Sequence, residues 1–304
     1  MSASGADTLH GADGGLPGAI GDYHGRVTRR LEGAACWVEV LAAGGPRIVG
    51  FGLRGGPNVL AETPDMGWDS GFGRYELLGG HRLWFAPETL ECSVPDQRGL
   101  TISAVAGGVR LVGAVEPPTG LRKAVEIRLD PEVAALSIRH ELLNEGSRTL
   151  EISPWAITQL RLGGVAVVEL PIRVAEHILE PNQVLVLWPY SSWADDRMSI
   201  GERAITVTGR PARPFKLGFL SHRGSAGYLR DGLLFVKRFD PAVAAVHADL
   251  GSNVQIYCDE RTIELESLGP LVRLMPGEST IHEERWELRD IGTGADAAAA
   301  AAFL

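Results

Sequence analysis

The sequence predicts an all-β protein built as an antiparallel two-sheet sandwich, and three observations carry that reading. Run after run alternates apolar and polar residues, the two-residue period of a strand that wets one face. Turn residues interrupt these runs at intervals of about ten residues. Helical periodicity is nearly absent between the chain ends, which excludes repeated strand–helix–strand units. The chain has 304 residues, with 38 glycines and 18 prolines, a composition suited to many tight turns.

The elements follow in order. Residues 36–41 and 47–52 are extended runs joined through Gly44-Gly45-Pro46, a hairpin signal. Residues 100–105 and 109–113 flank Ala106-Gly107-Gly108 in the same way. Residues 121–129 alternate cleanly, Asp130-Pro131-Glu132 turns the chain, and 135–144 alternate again. Extension resumes at 150–152 and recurs at 165–170, 183–188, 204–207 and 233–237. Three last strands are expected at 254–257, 262–266 and 281–288, the final one after Met275-Pro276-Gly277-Glu278. Many strands without a linker argue for a single domain over residues 23–290. Residues 1–22 read as a poorly ordered Gly/Ala-rich leader, and 291–304 as a low-complexity tail. A short isolated polyalanine helix is marginal in water.

Charge narrows the function classes. The formal net charge is -9, so the positive field that nucleic acid or an anionic membrane surface attracts is missing. Cys36, Cys92 and Cys258 are scattered and odd in number, without zinc spacing, and read as reduced thiols. The first residues carry neither a basic stretch nor an apolar one, no run of 18 apolar residues occurs, and a cytoplasmic location is the default expectation. No glycine-rich phosphate loop sits between a strand and a helix, so no cofactor is expected.

Several spaced motifs resemble the galactose mutarotase-like (aldose 1-epimerase-like) superfamily, over roughly residues 25–290. They are Arg82 through Pro87-Glu88, Glu116-Pro117-Pro118-Thr119-Gly120-Leu121, and His140-Glu141-Leu142-Leu143-Asn144 leading to Pro154-Trp155-Ala156-Ile157-Thr158. Leu187-Trp188-Pro189-Tyr190, Phe215-Lys216-Leu217-Gly218 and Glu264-Leu265-Glu266-Ser267-Leu268-Gly269-Pro270 with Pro276-Gly277-Glu278 belong to the same set. The resemblance implies a large antiparallel supersandwich with a sugar-binding groove on one sheet. It implies interconversion of aldose anomers, with a glutamate as base, a histidine as acid and an arginine among the groups holding the sugar. Glu266 matches the base, and Arg82 resembles the substrate arginine, preceded here by His81 rather than the usual asparagine. Where the family places its acid histidine, this chain reads Ser153-Pro154-Trp155-Ala156-Ile157-Thr158. Trp155 or Thr158 stands on the expected surface, and His81 is the first candidate for a replacement acid.

The residues also have plainer readings. Arg82 offers a rigid fork of donors for hydroxyls, or a cross-strand ion pair. Trp84 and Trp155 are either flat platforms for a sugar or core, and Trp188-Pro189-Tyr190 reads as a loop over the groove or a solvated turn. Lys216 and Lys237 face a groove that takes an anionic sugar, or point outward as strand lysines. His140 is read on the polar side of its strand. Asp195-Asp196-Arg197 has too few ligands for calcium and reads as a turn with an internal ion pair. Two functions therefore stand: an aldose 1-epimerase-like isomerase acting on a small sugar or sugar derivative, and a non-catalytic carbohydrate-binding protein on the same fold. A lyase or hydrolase of uronic-acid polymers is a third reading, and it requires a long open groove.

Overall fold

A computed structural model describes residues 15–171, 179 and 181–304. The first fourteen residues of the expected leader lie outside that set. The alternating runs pair into two large antiparallel sheets. The front sheet runs Ala19–Tyr23, Arg26–Glu32, Cys36–Leu41, Arg47–Leu53, His81–Ala86, Leu150–Arg161, Thr262–Leu268, Val254–Cys258, Phe215–Phe219, Leu185–Leu187. The rear sheet runs Met198–Ile200, Ala204–Thr208, Val165–Glu169, Ser225–Arg230, Leu233–Phe239, Ser279–Asp290, Ala135–Asn144, Leu121–Leu129, Gly108–Val115, Thr101–Val105. The hairpin of Glu62–Asp69 and Arg74–Gly79 forms a separate two-stranded sheet.

One continuous apolar cluster fills the space between the large sheets and draws on both, including Phe51, Leu83, Phe85, Ile138, Leu142, Leu265 and Trp286. Phe51 of the front sheet meets Phe235 and Trp286 of the rear sheet, with ring centres 6.3 and 5.8 Å apart. Cys36, Cys92 and Cys258 are free and buried, as small apolar side chains tend to be.

Several elements run past the boundaries legible in the sequence. The run ending at Ile152 continues to Arg161 despite Pro154. Leu150–Ile152 pairs with the short strand Val272–Leu274, whereas Trp155–Arg161 pairs with Thr262–Leu268. Pro154 falls between the two partners, where its missing N–H costs least. Ala19–Tyr23, expected largely in the leader, pairs with Arg26–Glu32. In the expected tail, Ala297–Ala301 forms a short helix whose first turn Asp296 caps through Ala299 N. That helix survives because Ala300 buries against Val167, Leu229, Leu234 and Val236 on the outer face of the rear sheet.

Gly79-Gly80 is a sharp corner at the start of a strand. Leu78, Gly79 and Gly80 all adopt positive φ, at 64°, 81° and 67°. A Cβ on Gly79 would meet Ala61 O at 2.2 Å, and one on Gly80 would meet Ile48 O at 2.1 Å. Only glycine fits both positions. The corner delivers the chain into His81–Ala86 and so fixes which face each residue of that strand takes.

Candidate functional site

Strand register decides what the front sheet shows to the outside. Ile157 lies opposite both Glu266 and Arg82, Gln159 opposite Glu264, and Trp155 opposite Trp84. Tyr257 lies opposite Glu264 and Lys216. Residues directly opposite in adjacent strands share a face. Arg82, Trp84, Trp155, Gln159, Lys216, Tyr257, Glu264 and Glu266 therefore all point away from the core. Trp68 of the separate hairpin and Tyr190 of the loop after Leu185–Leu187 wall this face, enclosing a groove of about 650 Å³.

The groove floor is a charged cluster over aromatic rings. The Glu264 Oε1 lies 3.4 Å from Arg82 Nη2, and the Arg82 guanidinium sits 4.6 Å from the centre of the Trp84 ring. Glu266 is completely buried. Its Oε2 accepts from Trp155 Nε1 at 2.7 Å and from Lys216 Nζ at 2.9 Å. The Lys216 ammonium in turn lies over the Trp155 and Trp188 rings, at 4.3 and 4.7 Å from their centres. Burial pushes the Glu264 carboxyl up to about 7; the Glu266 charge adds to that rise, and Arg82 and Lys216 oppose it.

Four buried polar atoms in and just beneath the floor have no hydrogen-bond partner among the described residues. They are Nε and Nη1 of Arg82, Oε1 of Gln159 and Oε1 of Glu266. Each such atom in isolation costs about 1–3 kcal/mol. Donors and acceptors thus stand together on one floor, the pattern that meets a molecule whose groups both donate and accept.

His81 and Thr158 do not reach this groove. They pair with each other across strands on the opposite face, in the inter-sheet core. The alternation that turns Arg82 outward must turn His81 inward. This corrects both expected roles, replacement acid for His81 and sugar contact for Thr158. His140 and Lys237 are corrected too: both are fully buried. His140 shares parity with Ile138 and Leu142 and so shares their core face.

These residues form a closed polar network. His81 Nδ1 meets Thr158 Oγ1 at 2.9 Å, His81 Nε2 meets His140 Nε2 at 2.8 Å, and His140 Nδ1 meets the His282 carbonyl at 2.9 Å. A carbonyl only accepts, so His140 Nδ1 donates, its Nε2 accepts from His81 Nε2, and His81 Nδ1 accepts from Thr158. His282 Nε2 meets Ser267 Oγ at 2.7 Å, and Ser267 donates to Glu284. Lys237 Nζ reaches Glu284 at 2.9 Å and the carbonyls of Ala156 and Leu265 at 3.1 Å each. Trp286 Nε1 donates to the other Glu284 oxygen at 2.9 Å. One donor atom each from His81, His140 and Glu284 lies within 4.8 Å of the others, a metal-like grouping. Both ring nitrogens of both histidines are already engaged, and Lys237 supplies the cation that Glu284 faces.

Arg82, Trp84, Trp155 and Lys216 are thus brought together at the groove, with Trp188 beside Lys216. Glu266, expected as the base, lies beneath the floor, fully buried under Trp155 and Lys216, and that expected role is corrected. Glu264, Gln159, Trp68 and Tyr257 line the groove without having been singled out in the sequence. Glu264 was findable, since it shares strand parity with Glu266. Asp195 and Arg197 do form the internal pair the turn suggested, at 2.9 Å.

No family model and no curated protein matches the sequence. Solved structures do match in shape. A putative aldose 1-epimerase from Escherichia coli K12 superposes at a TM-score of 0.53 and 13% identity, covering 86% of this chain and 98% of that one. A galactose mutarotase-like protein from Lactobacillus casei ATCC 334 gives 0.53 and 12%, covering 86% and 100%. A putative mutarotase from Salmonella typhimurium gives 0.56 and 10%, covering 90% and 97%. The chain has the galactose mutarotase-like fold. The same fold unit matches part of a TPR-domain containing protein from Parabacteroides distasonis ATCC 8503, at 0.59 and 13%. There it covers 87% of this chain but spans 47%, about half, of the other. Within this mutarotase-like frame the groove occupies the outer face of the front sheet. Among the described residues no helix is long and apolar enough to cross a membrane.

Proposed function

We propose that this groove binds a carbohydrate and exchanges its anomers by acid–base chemistry, as an aldose 1-epimerase-like isomerase. The observation that carries this reading is the floor itself. A carboxyl poised near neutrality stands beside unpartnered donors and acceptors, under tryptophan faces. A sugar hydroxyl is donor and acceptor at once, and a pyranose has an apolar face that stacks on an aromatic ring.

Glu264 takes the proton of the anomeric hydroxyl. The C1–O5 bond then breaks as the C1 carbonyl forms, and O5 takes a proton from the Lys216 ammonium. The C1–C2 bond rotates, and as O5 re-attacks C1 Lys216 takes its proton back from the O5 hydroxyl while Glu264 returns its proton to the former carbonyl oxygen. Glu266 is the counter-ion that holds Lys216 in place, at 2.9 Å. Arg82 and Gln159 hold the hydroxyls. A base with a pKa near the working pH suits proton transfer, and no redox cofactor enters these steps.

The second reading is binding without turnover. No histidine lines the groove among the described residues, and Lys216 stands in this reading where the resemblance implied an imidazole acid. The deciding experiment follows anomer exchange by NMR for a panel of aldoses, uronic acids and sugar phosphates. Acceleration of one of them by the protein, lost in Glu264→Gln, supports the isomerase. Sugar-induced tryptophan fluorescence changes without acceleration leave a binding protein.

A further inference from the structure

The groove is larger than one sugar ring requires. At about 650 Å³ it falls mid-range among sites for drug-sized ligands, about 300–1,000 Å³, which hold well over the twelve heavy atoms of a hexose. A single ring placed over Glu264, Arg82 and Gln159 on the floor leaves the rim unused. The rim carries Trp68, which is 38% exposed and belongs to the two-stranded hairpin rather than to either large sheet.

Trp68 is held in position rather than free. Its ring packs 5.1 Å from Tyr75, and its Nε1 lies 3.4 Å from Ser93 Oγ. Tyr75 is buried, receives Trp84 Nε1 at 3.1 Å and lies 5.8 Å from the Trp84 ring, which in turn lies 5.6 Å from Trp155. Four rings thus step in contact from the floor to the rim. A platform fixed before the ligand arrives loses little entropy on binding, and so returns more of its stacking energy as affinity.

We infer that the ligand is a glycan of two or more rings, with its reducing-end ring on the floor and the next ring stacked on Trp68. The orientation follows from the floor chemistry: the anomeric carbon must face Glu264, so the chain extends toward the rim. This inference rests on the carbohydrate reading of the same groove and adds its length and direction.

The test is calorimetric titration of the full chain with glucose and galactose against maltose, cellobiose and lactose. At least one disaccharide binds about tenfold more tightly than the monosaccharide at its reducing end, the scale of one added aromatic stacking contact. In Trp68→Ala that ratio falls to about one, and Trp68→Phe restores most of it. Monosaccharides binding as tightly as every disaccharide, or a ratio that Trp68→Ala leaves intact, overturns the second-ring site while the single-ring site stands. Failure of every sugar in this panel to bind overturns this inference, and failure of the uronic acids and sugar phosphates as well overturns the carbohydrate reading with it.

Discussion

Glu264 and Glu266 stand two residues apart on one strand and share a face, yet only Glu264 opens onto the groove. Lys216 and the Trp155 indole cover Glu266, and its charge helps hold a proton on Glu264. The pair divides one chemistry, with an outer carboxyl that titrates and an inner carboxylate that sets the field.

Glu264→Gln is therefore expected to lower kcat/KM for anomer exchange by at least about 100-fold, the usual contribution of a positioned acid or base. In the parent protein kcat/KM should rise with pH through about 7 as the base form appears. The variant should lose that limb. Stability should move the other way. The folded pKa is raised, so the folded state loses stability as pH climbs from 4.5 to about 7. Glutamine removes that loss, worth up to about 3 kcal/mol at pH 8. A variant that keeps its turnover removes Glu264 from the mechanism.

Arg82 both donates to ligand and steadies Glu264. Arg82→Ala should weaken sugar affinity and also shift the limb of the pH profile upward, because Arg82 is the main influence pulling the Glu264 pKa down. Arg82→Lys should restore the limb better than the affinity, since ammonium replaces the charge but not the fork. A pH profile unmoved in Arg82→Ala would show that the 3.4 Å contact to Glu264 has no electrostatic weight.

Much of this was legible in the chain. The alternating runs gave most of the strands, and the motif around Arg82, Trp84, Trp155 and Lys216 pointed to the groove. Parity, used strictly, would have gone further: Arg82 and Trp84 facing out force His81 in, and Glu264 must face out with Glu266. What parity could not supply is which opposite strand each residue meets. His81, His140, His282 and Glu284 come from three strands far apart in sequence, and their contact is a product of strand order in the rear sheet and of the packing of the front sheet against it. Lys237 read as a surface lysine because nothing local announces a carboxylate on a neighbouring strand. The helix at the C-terminal end was hidden for the same reason, since its stability comes from the sheet it covers rather than from alanine propensity alone.

Lys237 and Glu284 carry a stability prediction. Both side chains are fully buried at 2.9 Å, and Lys237 also clasps the two strands bearing Trp155 and Glu264 through the carbonyls of Ala156 and Leu265. Removing one partner leaves an uncompensated charge between the sheets. Lys237→Met should cost about 3–5 kcal/mol in urea unfolding, whereas Lys237→Met with Glu284→Met should cost less than Lys237→Met alone, because no stranded charge remains. A double variant that is less stable than either single one would assign the network a stabilising role beyond charge balance.

The histidines of this network make the protein acid-sensitive, and the sign can be worked out. Burial lowers the pKa of His81, His140 and His282, the last to about 3. A depressed folded pKa means that the unfolded chain takes up the proton first. The stability each neutral histidine contributes is full above its unfolded pKa near 6.5 and is lost as pH falls. Each such site contributes a slope of up to about 1.4 kcal/mol per pH unit below its unfolded pKa, and the three act in the same direction. Glu264 opposes this as one proton against three, so the histidines prevail. Below 4.5 Glu284 adds to the loss, because burial alone would raise its pKa but the Lys237 ammonium holds it well down. Urea midpoints should therefore drop steeply between pH 6.5 and 5. His282→Gln keeps an N–H for Ser267 but cannot take a proton, and should flatten the slope by about 1.4 kcal/mol per unit. Midpoints that stay level from pH 7.5 to 5 would mean that the three rings take up protons in the fold as readily as in the unfolded chain, so that burial does not hold them neutral.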